Sequence, residues 1–203
     1  MPGCRPSRSS SCHPVLRCVP WVVGLLSLAW VQAAHAVTPR CPNLAILLDQ
    51  SASMNDNPQG MLEPDRSKSK WAIATTTLTA LNNNINGRLP LAYTNFPRYD
   101  GSCVPYDTFR VPLGYSNKTA INNAMIEYPF KAGTTPMCTA ISKLADEMAF
   151  TDPQRPNYIL LLTDGVPDAA CCGTDPVQAT INSIVAAASQ SPPVKTIVVG
   201  FGS

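Results

Sequence analysis

The chain has 203 residues, of which 45% are hydrophobic and 14% charged, so it carries enough apolar material for one folded domain and is not expected to be disordered. Its formal net charge is +2, and its lysines and arginines are scattered along the chain. Without a basic cluster there is no electrostatic reason to expect a nucleic acid partner.

The N-terminal segment has the pattern of an export signal. Arg5, Arg8 and Arg17 precede an apolar run from Val19 to Val31, and Ala34-His35-Ala36 has the small residues that signal peptidase accepts. Because Pro20 interrupts the run and the run is short for a bilayer span, a membrane anchor or transit peptide is the weaker alternative. We expect residues 1–36 to be a signal peptide and residues 37–42 a linker. The mature chain would then be secreted or held at the cell surface, without a transmembrane segment.

Five of the eight cysteines follow the predicted signal peptide: Cys41, Cys103, Cys138, Cys171 and Cys172. An oxidising compartment favours disulfides, and the odd number leaves one thiol free or paired with something outside this chain. The spacings match no zinc pattern. The adjacent Cys171 and Cys172 are expected to pair with distant cysteines rather than to form a redox switch. For Cys138 the candidate partners are Cys103 and Cys171.

Three short apolar runs, each followed by a polar loop, predict strands buried on both faces: Asn43–Asp49, Tyr158–Asp164 and Val194–Gly200. Three segments with apolar residues at helical spacing predict amphipathic helices that cover the sheet: Trp71 to Ile85, Met137 to Met148 and Val177 to Ala188. Asp175-Pro176 marks a helix start and Gly87 a helix end. The alternation predicts a doubly wound, mostly parallel α/β sheet flanked by helices.

The middle of the chain is less regular. Leu89–Phe96 predicts a further strand, Thr108–Leu113 a short antiparallel edge strand that tolerates a proline, and Asn117–Tyr128 a short helix. The sequence stops at Gly202-Ser203, directly after an apparent core strand. Since a parallel sheet needs cover on both faces, we expect the domain, residues 43–203, to be truncated and to lack its final helix.

Polar clusters occupy three of the predicted loops: Asp49-x-Ser51-x-Ser53, Thr134-Thr135 and Asp164-Gly165. Open α/β sheets bind ligands at the carboxyl ends of their strands. Two carboxylates and three hydroxyls are hard oxygen ligands, which suit Mg²⁺, Mn²⁺ or Ca²⁺ rather than zinc or copper. The aspartates would neutralise the dication while the hydroxyls add no charge, so the metal would still attract an external carboxylate.

These motifs, Asp49-Gln50-Ser51-Ala52-Ser53-Met54, Gly133-Thr134-Thr135-Pro136 and Leu161-Leu162-Thr163-Asp164-Gly165, resemble in order and spacing the metal-ion-dependent adhesion site of von Willebrand factor type A domains. The resemblance covers Asn43 to Ser203 and implies a Rossmann-like fold. It implies that Ser51 and Ser53 bind the metal directly, that Thr135 does so in the ligand-bound state, and that Asp49 and Asp164 bind directly or through water. Mg²⁺ is the expected ion, with Mn²⁺ and Ca²⁺ as alternatives.

The resemblance further implies a metal-dependent adhesion module whose last coordination position takes an Asp or Glu of a protein, or a carboxylate of a polysaccharide. Two other functions are compatible with these residues: a scaffold with a purely structural metal, and a hydrolase that uses Ser51 or a metal-bound water. Both histidines, His13 and His35, fall in the predicted signal peptide, and no G-x-S-x-G elbow is present. We therefore predict a binding protein rather than an enzyme. Taken singly, each hydroxyl could instead cap a turn or helix.

Overall fold

The computed structural model describes residues 40–201, except residues 86, 100, 148 and 149. The predicted signal peptide, most of the linker, Met148 and the last two residues therefore lie outside the described residues. Within the described part, the strands are β1 (Asn43–Asp49), β2 (Leu91–Phe96), β3 (Val111–Gly114), β4 (Asn157–Thr163) and β5 (Val194–Gly200). The α-helices are α1 (Lys70–Ile85), α2 (Lys118–Ala124), α3 (Met137–Ala145), α4 (Ala169–Cys172) and α5 (Pro176–Ser189). Two short 3₁₀ helices cover Ala52–Asn55 and Arg66–Lys68.

The strands form a single sheet in the order β3-β2-β1-β4-β5. β1 runs parallel to both β2 and β4, β5 runs parallel to β4, and β3 is antiparallel to β2 at one edge. This confirms the predicted fold class, a mostly parallel sheet with one antiparallel edge strand. In the register of β1 and β4, Leu48 lies opposite Leu162, so Asp49 and Thr163 emerge at the same end of the sheet.

Both faces of the central strands are covered by helices, which explains why the sequence of β1 is a continuous apolar run. Ala45 and Leu47 point into a core with residues of α3, whereas Ile46 and Leu48 point into a core with residues of α1. Tyr93, on β2, belongs to the second core. The alternation follows from the two-residue period of a strand. The helices therefore hold β1 and its terminal Asp49 rigidly from both sides.

The predicted helices are present, but α2 ends at Ala124 rather than at the predicted Tyr128. Asp175 accepts a hydrogen bond from the backbone N–H of Gln178 (3.0 Å) and caps α5, which begins at Pro176. Gly87 has a positive φ of 79°, two residues past the end of α1, where a residue with a side chain would be strained. No helix in the described part of the chain is long and apolar enough to cross a membrane.

β5 departs from its prediction. It was expected to be buried on both faces, but Ile197, Val198 and Val199 are 48%, 54% and 38% exposed. The physical reason is position: β5 is the edge of the sheet among the described residues and pairs with β4. An apolar run predicts a strand but does not reveal whether other elements cover it.

The buried face of α5 also differs from the predicted stripe of Val177, Ile181, Ile184 and Ala188. Val177 and Ile181 are 47% and 46% exposed, whereas Thr180 and Ala187 are buried. Of the predicted stripe, Ile184 packs against the core. α5 packs on α3 through small side chains, with the hydroxyls of Ser142 and Ser183 3.1 Å apart. Small residues allow two helices to approach closely, so the contact face is not the face with the largest aliphatic residues.

Candidate metal centre

Asp49 ends β1 with its side chain buried at the carboxyl end of the sheet. The backbone N–H of Ser51 donates to Oδ1 (2.8 Å) and the hydroxyl of Thr163 donates to Oδ2 (2.6 Å). Burial raises the pKa of Asp49 to about 6, although these hydrogen bonds act in the opposite direction. The carboxyl group is thus fixed in position by the neighbouring strand and by its own loop.

Ser51 and Ser53 bracket the start of the 3₁₀ helix that follows β1. Their hydroxyl oxygens are 3.1 Å apart, and the hydroxyl of Ser53 donates to Oδ1 of Asp164 (2.8 Å). In an octahedral Mg²⁺ shell with metal–oxygen bonds of about 2.1 Å, neighbouring ligand oxygens lie about 3 Å apart. The Ser51–Ser53 and Ser53–Asp164 oxygen pairs therefore have the spacing that one ion requires of adjacent ligands.

The Thr135 loop lies directly against the serine loop. The N–H of Ala52 donates to the carbonyl of Gly133 (3.4 Å), and a Cβ added to Gly133 would lie 3.2 Å from Cα of Ser51. The carbonyl of Thr135 accepts hydrogen bonds from the N–H groups of Met137 (2.8 Å) and Asp168 (3.1 Å). Backbone contacts thus join this loop to the loops after β1 and after β4.

Of the two neighbouring threonines, Thr135 is the better candidate ligand. Its side chain is buried in this group of loops, whereas the hydroxyl of Thr134 donates to the backbone carbonyl of Ser102. The structure therefore links Asp49, Ser51, Ser53 and Asp164 through one chain of hydrogen bonds, and it brings Thr135 next to them through its backbone. Within the described residues, no group of three or more His, Cys, Asp or Glu could hold a metal, so a centre here depends on the hydroxyls.

Lys70 is a further member of the cluster that the sequence analysis missed. Its Nζ donates to Oδ2 of Asp164 at 2.7 Å, and the two side chains are only 7% and 0% exposed. A signal was present in the sequence: Lys70 precedes Ala74 and Leu78 by four and eight residues and so continues the buried stripe of α1. The predicted helix began at Trp71, one residue too late to include it.

Two amide side chains fasten the segment before Gly133 to the loop after β1. Nε2 of Gln50 donates to the carbonyl of Tyr128 (2.7 Å), and Nδ2 of Asn55 donates to the carbonyl of Phe130 (3.1 Å). Gln50 is thereby directed away from Asp49, as expected for a residue that supplies no ligand. These contacts fix the relative positions of two of the three candidate loops.

Two disulfides hold the third loop in place. Cys103 pairs with Cys171 and Cys138 pairs with Cys172, so α4 is bonded both to the loop after β2 and to α3. The prediction that the adjacent cysteines pair with distant ones is confirmed. Both candidate partners of Cys138 were wrong, because the helical turn of α4 turns Cys172 rather than Cys171 towards α3. Cys41 also takes part in a disulfide, so the expectation of one cysteine that is free or paired outside this chain is wrong.

Solved structures with a similar fold include two bacterial proteins. An aerotolerance-related membrane protein from Bacteroides fragilis NCTC 9343, with multiple mutations to serines, matches 78% of this chain and 67% of its own, with a TM-score of 0.54 and 20% identity. The PilB minor pilin from Streptococcus sanguinis matches 79% of this chain and 50% of its own, with a TM-score of 0.54 and 15% identity. The chain thus spans about two thirds of the first structure and half of the second. No protein-family model and no curated protein sequence matches this chain.

These matches concern the fold alone, a von Willebrand factor type A-like α/β fold with a mostly parallel sheet and one antiparallel edge strand. At such low sequence identities they carry no information on the metal centre. Evidence for a metal centre therefore comes only from the side chains of this chain.

Proposed function

We propose that this protein is an exported, non-enzymatic binding module. It would hold one divalent cation, preferentially Mg²⁺, and bind an acidic group of a protein or polysaccharide through that ion. The ligands would be Asp49, Ser51, Ser53, Thr135 and Asp164. The observation that carries the proposal is the hydrogen-bonded cluster of oxygens spaced about 3 Å apart, drawn from separate loops at the carboxyl end of the sheet.

The donor set suits this role chemically. Each oxygen of Asp49 already accepts one hydrogen bond, which favours contact with the ion through water over direct bonding. Ser51 and Ser53 are uncharged ligands, and reorienting a hydroxyl is sufficient to turn a lone pair towards a cation. A bound dication would supply an electrophilic position for an outside carboxylate. Mg²⁺ is preferred because it commonly keeps several waters and uses few protein carboxylates.

The surroundings support an exported binding protein. Two disulfides brace the loops, as is typical of proteins that fold in an oxidising compartment. One structure with the same fold is a minor pilin. All histidines lie within residues 1–36, so no histidine base is available beside the serines. These features favour recognition over hydrolysis.

Calorimetric titration of the purified protein with Mg²⁺, Mn²⁺ and Ca²⁺ tests the metal centre. We expect one site per chain, and we expect Ser51→Ala and Thr135→Ala each to weaken Mg²⁺ binding at least tenfold. Thr134→Ala is the matched control, since it removes a neighbouring hydroxyl that hydrogen-bonds to Ser102 instead. Equal losses for Thr134→Ala and Thr135→Ala would contradict the proposed ligand set.

Retention on immobilised polyglutamate and polygalacturonate, with neutral dextran as the control surface, tests the second half of the proposal. We expect retention on an acidic surface that requires Mg²⁺ and is lost with Ser51→Ala. Metal binding without any such retention would indicate a structural scaffold. Metal-dependent turnover of an ester or phosphodiester would indicate an enzyme.

A further inference from the structure

A buried lysine lies inside the candidate metal centre. The ammonium of Lys70 is 2.7 Å from Oδ2 of Asp164, while the hydroxyl of Ser53 occupies Oδ1. Both oxygens of Asp164 therefore have partners without any metal ion. Other cations of the same segment are placed differently: Lys68 has a side chain that is 70% exposed and pairs with Asp65 at the surface.

Lys70 is held where it is by the backbone. It is the first residue of α1, its N–H donates to the carbonyl of Asp56 (2.8 Å), and the next residue, Trp71, is packed in the core. The side chain is almost fully buried, so the ammonium cannot turn into solvent without disturbing the start of α1. Its ammonium is therefore held beside the carboxylate of Asp164.

Lys70 changes the net charge of the cluster. Asp49 and Asp164 contribute two negative charges and Lys70 one positive, which leaves the metal-free cluster with a net charge of −1. A dication would bring it to +1, whereas the same site without Lys70 would become neutral. In a buried site an uncompensated charge is costly, and an anion from outside removes that cost.

We propose, on the basis of the proposed function, that Lys70 is an internal counter-cation that weakens binding of the metal alone and makes it depend on an acidic ligand. Metal and ligand carboxylate then bind cooperatively: each raises the affinity of the other by the same factor. In the metal-free protein, Lys70 keeps Asp164 paired and the loops in place. The ion is thus held firmly when a partner carboxylate is also present.

The test is calorimetry of Mg²⁺ binding to the wild type, Lys70→Gln and the matched surface control Lys68→Gln, each with and without glutarate as a soluble dicarboxylate. We expect Lys70→Gln to bind Mg²⁺ alone at least tenfold more tightly than the wild type, because it removes a like charge beside the ion. Glutarate should raise the Mg²⁺ affinity of the wild type at least fivefold and that of Lys70→Gln less than twofold. Lys68→Gln should match the wild type in both measurements.

A second readout needs no metal. In EDTA, Lys70→Gln should melt at a lower temperature than the wild type, because Asp164 is left buried without the ammonium of Lys70. Mg²⁺ should raise the melting temperature of Lys70→Gln more than it raises that of the wild type. If Lys70→Gln fails to fold, Lys70→Arg, which keeps the charge, is measured in its place. Asp164→Asn should then lower the melting temperature of Lys70→Arg as much as it lowers that of the wild type.

The outcomes separate the two proposals. A wild type that binds no divalent ion overturns the proposed function and this inference together. A wild type that binds Mg²⁺ while Lys70→Gln binds it equally or more weakly overturns the role of Lys70 and leaves the metal centre intact. Tighter Mg²⁺ binding by Lys70→Gln without any effect of glutarate on the wild type overturns the cooperativity.

Discussion

Removal of the disulfide between Cys138 and Cys172 should destabilise the domain strongly. The two cysteines are separated by 34 residues. In the chain-entropy model, opening a loop of that length restores about 12.6 cal/mol/K to the denatured chain, or about 3.8 kcal/mol at 25 °C. For a urea m-value of about 2 kcal/mol/M, the unfolding midpoint of Cys138→Ala/Cys172→Ala should fall by about 2 M.

Urea unfolding followed by tryptophan fluorescence is a suitable assay, because Trp71 is the sole tryptophan after residue 36 and is buried in the core. Removing the other disulfide, Cys103–Cys171, opens a longer loop of 68 residues and should cost slightly more, about 4.4 kcal/mol. The m-value should rise slightly in both variants, because the denatured chain exposes more surface without the cross-link. A midpoint shift below about 0.5 M would refute the reasoning, because the cross-link would then not restrict the denatured chain as assumed.

Three further substitutions test the packing around the site. Gly133→Ala should weaken Mg²⁺ binding at least tenfold in calorimetry, because the added carbon would lie 3.2 Å from Cα of Ser51; Gly200→Ala, where it would meet nothing within 4 Å, should have no effect. Ile141→Ala should lower the free energy of unfolding by about 2–5 kcal/mol in urea, because this side chain is 0% exposed in the core. Asn82→Ala should cost about 1–3 kcal/mol in the same assay, because the carbonyl of Lys118 would lose its donor.

Each of these has an outcome that would contradict it. Wild-type Mg²⁺ affinity in Gly133→Ala would show that the two loops do not need their close approach. Losses below about 1 kcal/mol for Ile141→Ala would mean that the core between β1 and α3 is not tightly packed. A neutral Asn82→Ala would mean that the hydrogen bond between α1 and the start of α2 adds nothing to stability.

Much of the fold could be predicted because its signals are local. β1 and β4 are apolar runs that end in polar loops, and helices with a regular stripe lie between the strands. Because ligands bind at the carboxyl ends of the strands, Asp49 and Asp164 are expected to lie close together. In the structure β1 and β4 are adjacent parallel strands, and the hydroxyl of Ser53 donates to Asp164 across their two loops. Three motifs in order supplied the remaining candidate ligands.

What escaped prediction depends on contacts between distant segments. The exposure of β5 reflects its place at the sheet edge, which its own residues do not encode. The pairing of Cys138 with Cys172 rather than Cys171 depends on how α4 is turned. Lys70 follows two other cations, Arg66 and Lys68, within the preceding five residues, and only the stripe of α1 distinguishes it from Lys68.

The most direct test of the central claim is a crystal of the protein soaked in Mn²⁺ and measured at the manganese absorption edge. We expect one strong anomalous peak about 2.2 Å from the hydroxyl oxygens of Ser51 and Ser53, with Asp49 and Asp164 bound to the ion directly or through water. A peak elsewhere on the surface, or no peak at Mn²⁺ concentrations that saturate calorimetric binding, would contradict it.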